Sequence, residues 1–172
     1  MVVLGFRIAL LVVLLAAPAA AAPSAPALAF KRLDGAGEFD SRALIGKKVL
    51  VVRFQASWCK VCAAEAADVQ RISEKYRLLD VEVVALHVQD TAADAQRFLK
   101  AHGATYAAGL DPKLSIAKRF GFKGTPYTVV IDKRGEIVKR IHGRADENAL
   151  ARVLDPLVKP APKRRPPPMR MQ

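Results

Sequence analysis

Between residues 30 and 158, continuous apolar runs alternate with stretches in which apolar residues recur every three or four positions. Val49-Leu50-Val51-Val52 opens a strand-like run, Val49 to Phe54, whose continuity suits a strand covered on both faces. After Cys59, the residues Val61, Ala64, Val69, Ile72, Tyr76 and Leu79 fall close to a 3.6-residue period and predict a helix with those positions inward. Val81 to Val88 predicts the next strand and Ala92 to His102 the next helix. Lys113 to Phe120 predicts a shorter helix after the turn signal Asp111-Pro112, and the stretch before it suits either strand or loop. Tyr127 to Asp132 and Ile137 to His142 flank Lys133-Arg134-Gly135-Glu136, a hairpin signal. Asp146 caps a last helix running to about Val158. Upstream, Phe30 to Leu33 and Glu38 to Asp40 predict a short hairpin around Asp34-Gly35, followed by a turn at Gly46. This order implies an α/β fold with a central mixed β-sheet flanked by helices on both faces.

Composition adds two tails to that domain. The chain of 172 residues, 52% hydrophobic and 26% charged, suits one globular domain with a real core. Residues 1–22 are nearly all apolar with Arg7 as their one charge, and Pro18 precedes the small residues Ala19 to Ala22. They read as a secretory signal peptide, with an uncleaved N-terminal membrane anchor as the competing reading. Either places residues 30–158 outside the cytoplasmic membrane, in the periplasm or cell envelope, where disulfide chemistry operates. Residues 23–29 form an Ala/Pro linker, and residues 159–172 a basic, Pro-rich tail expected to be disordered. The net charge of +12 is swollen by that tail, which suits contact with an anionic surface; an export signal argues against nucleic acid as partner.

The candidate chemistry sits in Trp58-Cys59-Lys60-Val61-Cys62, which holds the only two cysteines of the chain. A strand before it and a helix after it place Cys59 at a helix N-terminus, where unpaired amides and the helix dipole favour a thiolate. Lowering a cysteine pKa from about 8.5 to roughly 7 turns a few per cent of thiolate at neutral pH into about half. Cys62, one turn later, is within reach of a mixed disulfide formed at Cys59. Three other readings compete, one of which, two inert buried thiols, suits neither the Trp-Cys start nor the strand-to-helix position. A structural staple closing so short a loop gains only about 2 kcal/mol. A zinc or copper site needs further soft ligands, and His87, His102 and His142 are scattered without ligand spacing. The residues therefore call for no metal and no organic cofactor.

With Glu65 three residues after Cys62, with Gly121-Phe122-Lys123-Gly124-Thr125-Pro126, and with Val129-Val130-Ile131-Asp132-Lys133-Arg134-Gly135-Glu136-Ile137, the chain resembles the TlpA/ResA-like group of extracytoplasmic thioredoxin-like proteins over about Phe30 to Val158. The resemblance implies a thioredoxin-like fold and a thiol–disulfide oxidoreductase, a reductant of protein disulfides, in a setting such as cytochrome c maturation. Cys59 is then the attacking and Cys62 the resolving thiol of a redox-active disulfide, recharged by a membrane electron carrier. Trp58 packs beside the disulfide, and Pro126 is a cis-proline that leaves the Thr125 backbone open to a substrate strand. Glu65 lies near the cysteines and acts on their proton transfers, with a merely solvated helix residue as the plainer reading. Lys60 lowers the pKa of Cys59 as far as solvent screening allows.

Four positions depart from that group: Val61 and Ala67 stand where proline is common, and Tyr127 where a small hydroxyl residue is common, which bears on substrate fit. Arg53 takes a strand position that is often a buried acid in cytosolic thioredoxins, leaving that acid's proton-relay role without a candidate. Outside oxidoreductases, a copper-binding chaperone and a non-catalytic thioredoxin-fold interaction protein are the alternative functions.

Overall fold

The computed structural model describes residues 22–158; the expected signal peptide or anchor and the basic tail lie outside them, apart from Ala22. Seven strands and four helices follow one another: β1 Ala29–Lys31, β2 Glu38–Asp40, β3 Val49–Gln55, α1 Lys60–Arg77, β4 Val81–Val88, α2 Ala92–Ala101, β5 Ala107–Asp111, α3 Ser115–Arg119, β6 Tyr127–Ile131, β7 Ile137–His142 and α4 Glu147–Val158. The main sheet has the order β5-β4-β3-β6-β7. Strands β3, β4 and β5 run parallel, and β6 and β7 antiparallel to their neighbours. This is the mixed sheet that the alternation of patterns implies. The stretch left between strand and loop is a strand, β5, held by parallel pairing to β4.

Central β3 is buried at all seven positions, and its alternate side chains serve two cores. Val49 and Val51 face α1 and α4, meeting Val69, Ile72, Tyr76, Leu150 and Leu154. Leu50, Val52 and Phe54 face the β1–β2 hairpin and α3, meeting Phe30, Phe39, Ala117 and Phe120. Covering both faces explains why the strand reads as one apolar run rather than an alternation.

Three expectations are corrected by packing. Val61, Ala64 and Leu79 are exposed, and the buried stripe of α1 is Cys62, Glu65, Ala66, Val69, Gln70, Ile72 and Tyr76. Val61 lies in the first turn, at the cysteines, and Leu79 lies beyond the helix end. The α3 helix is shorter than expected because Leu114 takes a left-handed conformation (φ 58°) and starts it only at Ser115. The Ala/Pro segment is laid on the domain rather than free as a linker: Leu28 is buried, Ala25 N–H donates to Gly135 O (2.8 Å) and Ile137 N–H to Pro23 O (2.9 Å).

The N-terminal hairpin depends on Gly109 in β5. A methyl group there would lie 2.2 Å from Phe30 Cδ2, and Phe30 is held in place by stacking on Phe39 with ring centroids 5.0 Å apart. Gly109→Ala is expected to cost about 1–3 kcal/mol through overpacking. A lowered urea midpoint with an unchanged slope checks this, and Gly109→Ala combined with Phe30→Leu should lose less than the two singles together. An unaltered midpoint in Gly109→Ala would remove Phe30 as the contact that excludes a side chain.

Candidate active site

At the end of β3 the chain turns through Ala56, Ser57 and Trp58, and Cys59 becomes the N-cap of α1. Its extended backbone (φ −85°, ψ 103°) directs Sγ at the opening turn, where Cys62 N–H donates to it at 3.1 Å. This is the N-cap contact normally made by Ser, Thr or Asp, with sulfur as the acceptor. In the dithiol form the same amide, together with the helix dipole, favours negative charge on that sulfur. Cys59 and Cys62 are joined in a disulfide, with Cα atoms 5.2 Å apart. Cys59 is the more open of the two at 7% exposure, against 1% for Cys62. An incoming nucleophile or disulfide therefore meets Cys59 first.

Beneath the sulfurs lie Ala56, Ala66 and Phe98, the last contributed by α2. Two buried polar assemblies flank this apolar seat. On one side, Arg53 in β3 donates through Nη2 to Glu65 Oε2 (2.5 Å) and through Nη1 to Thr128 Oγ1 in β6 (3.1 Å). Glu65 Oε1 accepts from Ala145 N–H (2.6 Å), with Arg144 Nε at 3.7 Å. Arg53 and Glu65 are both fully buried, so the reading of Glu65 as a solvated helix residue is corrected. Its inward position follows from lying three residues beyond Cys62 on the same helix face. Both carboxylate oxygens are engaged in holding β3, α1 and the β7–α4 loop together. Arg53, noted as a departure from a common buried acid, is the partner that lets a carboxylate enter this core from the helix instead.

On the other side, Asp90 accepts from Ser57 N–H and Ser57 Oγ–H, both at 2.7 Å, and so fixes the residue two before Cys59. His87 Nδ1 contacts Asp90 Oδ2 (2.9 Å), and His87 Nε2 contacts Gln55 Nε2 (2.9 Å). With the Gln55 amide donating, Nε2 accepts and Nδ1–H donates to Asp90, which describes a neutral imidazole. Burial pushes the His87 pKa below its ordinary 6.5, and the bond to Asp90 offsets this only in part. Burial would raise the Asp90 carboxyl, but the bonds from His87 and Ser57 outweigh it and hold the pKa below the usual 3.8. The same loop anchors Trp58, whose indole N–H donates to Gln89 O (3.3 Å) while the side chain stays 58% exposed. No local pattern announces this assembly, since Gln55 and Ser57 lie in one segment and His87 and Asp90 in another, without a motif joining them.

Thr125-Pro126 has the cis peptide expected of it. Tyr127, the next residue, pairs with Phe54, so Thr125 and Pro126 lie at the same end of the sheet as the cysteines. Tyr127 itself is buried, stacks on Phe54 and His142, and donates its hydroxyl to Phe120 O (2.7 Å). It is therefore part of the core under the site and not a surface that substrate meets. The histidines stay dispersed: His87 is bonded to Asp90, His102 packs tilted against Phe98 and His142 stacks on Tyr127. Among the described residues, no three His, Cys, Asp or Glu side chains are grouped to hold a metal ion.

A five-stranded mixed sheet with a disulfide at the cap of the helix after its central strand defines a thioredoxin-like dithiol protein. The chain belongs to the Redoxin family, whose model matches residues 20–154. It is 31% identical over 141 residues to thiol:disulfide interchange protein HelX of Rhodobacter capsulatus, covering 81% of this chain and 78% of that protein. Thiol-disulfide oxidoreductase ResA of Halalkalibacterium halodurans is 28% identical over 119 residues, with 69% and 66% covered. The fold superposes with a TM-score of 0.74 on a thiol:disulfide interchange protein of the thioredoxin family from Chlorobium tepidum, 22% identical, covering 82% of this chain and 99% of that one. The protein is a thiol–disulfide oxidoreductase.

Two outcomes follow from the flanking assemblies. Glu65→Ala leaves Arg53 buried without a counter-charge and should cost about 3–5 kcal/mol in urea unfolding; a loss under 1 kcal/mol would show that the pair does not hold α1 to the sheet. The depressed His87 pKa means that the unfolded chain binds more protons than the folded one below about pH 6.5, so stability falls as pH drops through that value. The Asp90 contribution is complete above about pH 3.8 and is lost as pH falls through its lower folded value. His87→Asn should flatten the urea midpoint between about pH 6.5 and 5, whereas the parent protein declines there; parallel profiles would contradict the assignment.

Proposed function

We infer that this protein reduces disulfides in other proteins outside the cytoplasmic membrane. The carrying observation is Cys59 Sγ at the N-cap of α1, accepting from Cys62 N–H and more open than the sulfur bonded to it. In the dithiol form, the Cys59 thiolate attacks a substrate disulfide, forming a mixed disulfide and releasing one substrate thiolate. Cys62, deprotonated, then attacks Cys59 Sγ and expels the second substrate thiolate. Two electrons pass to the substrate, and the Cys59–Cys62 disulfide remains.

Trp58, exposed beside Cys59, and Thr125-Pro126, at the same sheet end, make the substrate contacts, with the Thr125 backbone pairing to an extended segment as an added strand. Glu65 acts through position: its bonds to Arg53 and Ala145 hold the helix that carries both sulfurs. A membrane electron carrier returns the pair to the dithiol, in a setting such as cytochrome c maturation. Residues 1–22 direct export or anchor the chain, 30–158 form the catalytic domain, and the basic tail 159–172 contacts an anionic surface.

Cys59→Ser should abolish reduction of a protein disulfide, and Cys62→Ser should accumulate a mixed disulfide with substrate, seen as a reductant-sensitive adduct on a gel. Turnover persisting in Cys59→Ser would defeat the assignment. Equilibration with glutathione should place the couple near about −270 mV or lower; a value near about −120 mV would make the protein an oxidant.

A further inference from the structure

Unpaired positive charge is concentrated at the sheet end that carries the cysteines. Parallel pairing brings the ends of β3, β4 and β5 to one edge, together with the start of β6 and the end of β7. Lys60, Lys113, Lys118, Arg119 and Lys123 are all exposed at that edge. Among the described residues, none of them forms an ion pair with a carboxylate. Segment 118–123 lies close to the substrate strand position, since the Phe120 and Phe122 rings sit 5.6 and 6.0 Å from Phe54, the register partner of Tyr127.

The acids of this edge are already engaged. Asp90 is bonded to Ser57 and His87, and Glu65 to Arg53. Asp111 accepts from Ser115, Ile116 and Ala117, Asp94 pairs with Arg97, and Asp146 caps Ala149. At the opposite edge Lys48 pairs with Glu82 (2.7 Å), Lys133 with Asp80 (3.0 Å), and Arg134 with Asp132 (2.9 Å) and Glu136 (2.7 Å), leaving Lys47 and Arg77 as the exposed cations without an ion pair among the described residues there. Five exposed cations without a counter-charge therefore gather at the edge that carries Cys59, one beside it on α1 and four on segment 113–123. In the middle of it stand two exposed apolar side chains, Trp58 and Val61, the latter 45% exposed.

We propose that this edge is a docking face for protein segments whose disulfide is flanked by acidic residues. The inference rests on the disulfide-reductase reading and names its substrate class. The partner must bring a disulfide to Cys59, so the complementary charge belongs on the chain segments either side of that disulfide. An anionic bilayer on the same face would cover the sulfur instead of supplying it with a substrate. Complementary fields of this kind raise encounter rates by about 10- to 1,000-fold and are damped once the Debye length falls to a few ångströms. Trp58 and Val61 supply apolar contact that is indifferent to sequence, and the cations of Lys60 and segment 113–123 select among the segments that reach Cys59.

The test uses the full chain in its dithiol form and two disulfide-bonded peptides with identical loops, one flanked by Asp and Glu, the other by Lys. Each reduced peptide and each oxidised protein account for the same two electrons. At low salt the acidic peptide should be reduced about tenfold faster, as kcat/KM, and the ratio should approach one at high salt. Lys118→Glu combined with Lys123→Glu should cancel or invert the ratio; the basic tail is common to both proteins and cannot cause the change. Equal rates for the two peptides, or a ratio untouched by the charge reversal, would overturn the docking face while leaving the reductase reading intact. So would a charge reversal that abolishes binding to phosphatidylserine vesicles but leaves the ratio as it was. Failure to reduce either peptide would remove both readings together. Should the double variant not fold, the salt dependence of the parent ratio decides by itself.

Discussion

The buried ion pair between Arg53 and Glu65 is the constraint on which the cysteine geometry depends. Arg53 projects from the middle of the central strand, Glu65 from the second turn of α1, and the Ala145 amide completes the carboxylate from the last loop. Neither charge reaches water, and Arg53 Nε has no hydrogen-bond partner among the described residues. In such surroundings a guanidinium tolerates burial only with its counter-charge held at bonding distance. The pair therefore fixes the rotation and height of α1 against β3. Cys59 and Cys62 lie within six residues of Glu65 on that helix, so their placement at the sheet end follows from the same bond.

A second set of bonds controls the approach to the helix. The turn from β3 is short, and its conformation sets whether Sγ of Cys59 meets the Cys62 amide. Asp90 receives both the amide and the hydroxyl of Ser57, while neutral His87 ties Asp90 to Gln55 on the strand just left behind. The loop is thus closed on itself through side chains of β3 and β4, two strands in parallel register. The cysteines are gripped from the helix side by the ion pair and from the strand side by this network. Only the direction away from the sheet remains open, and there Cys59 is the sulfur in view.

Redox chemistry needs this division between a rigid seat and an open front. The sulfurs rest on Ala56, Ala66 and Phe98, and Phe98 in turn meets the edge of His87 at 5.4 Å. Apolar packing beneath the disulfide keeps water from one side, and the N-terminal dipole of α1 offers stabilisation to charge on the other. Sγ of Cys59 is therefore the sulfur on the open side, and Cys62, bonded to it, lies behind it. Exposed Trp58 and Val61 stand beside that opening, and Lys60 and the cations of segment 113–123 are exposed at the same edge.

The strand and helix order, the hairpins, the cap at Asp146 and the cysteine pair at a helix start were legible because each is a local pattern: periodicity, turn residues or a spacing within one helical turn. The inward side of α1 was misjudged, since Val61 and Leu79 are apolar but lie past the packed stretch, whereas polar Glu65 and Gln70 lie inside it. Hydrophobicity alone ranks such positions wrongly when a charge is buried with a distant partner. The fit of Leu28 and the Ala/Pro segment against the domain was equally hidden, because it depends on a groove built by residues over a hundred positions later. The residues alone therefore determined the alternation, the dithiol and its place at a helix cap. Which charges meet inside, how Ser57, His87 and Asp90 converge, and which cations gather beside the cysteines were decided only by folding. Those contacts join residues up to 80 apart in the chain, and no local pattern encodes a partner that chain closure alone brings near.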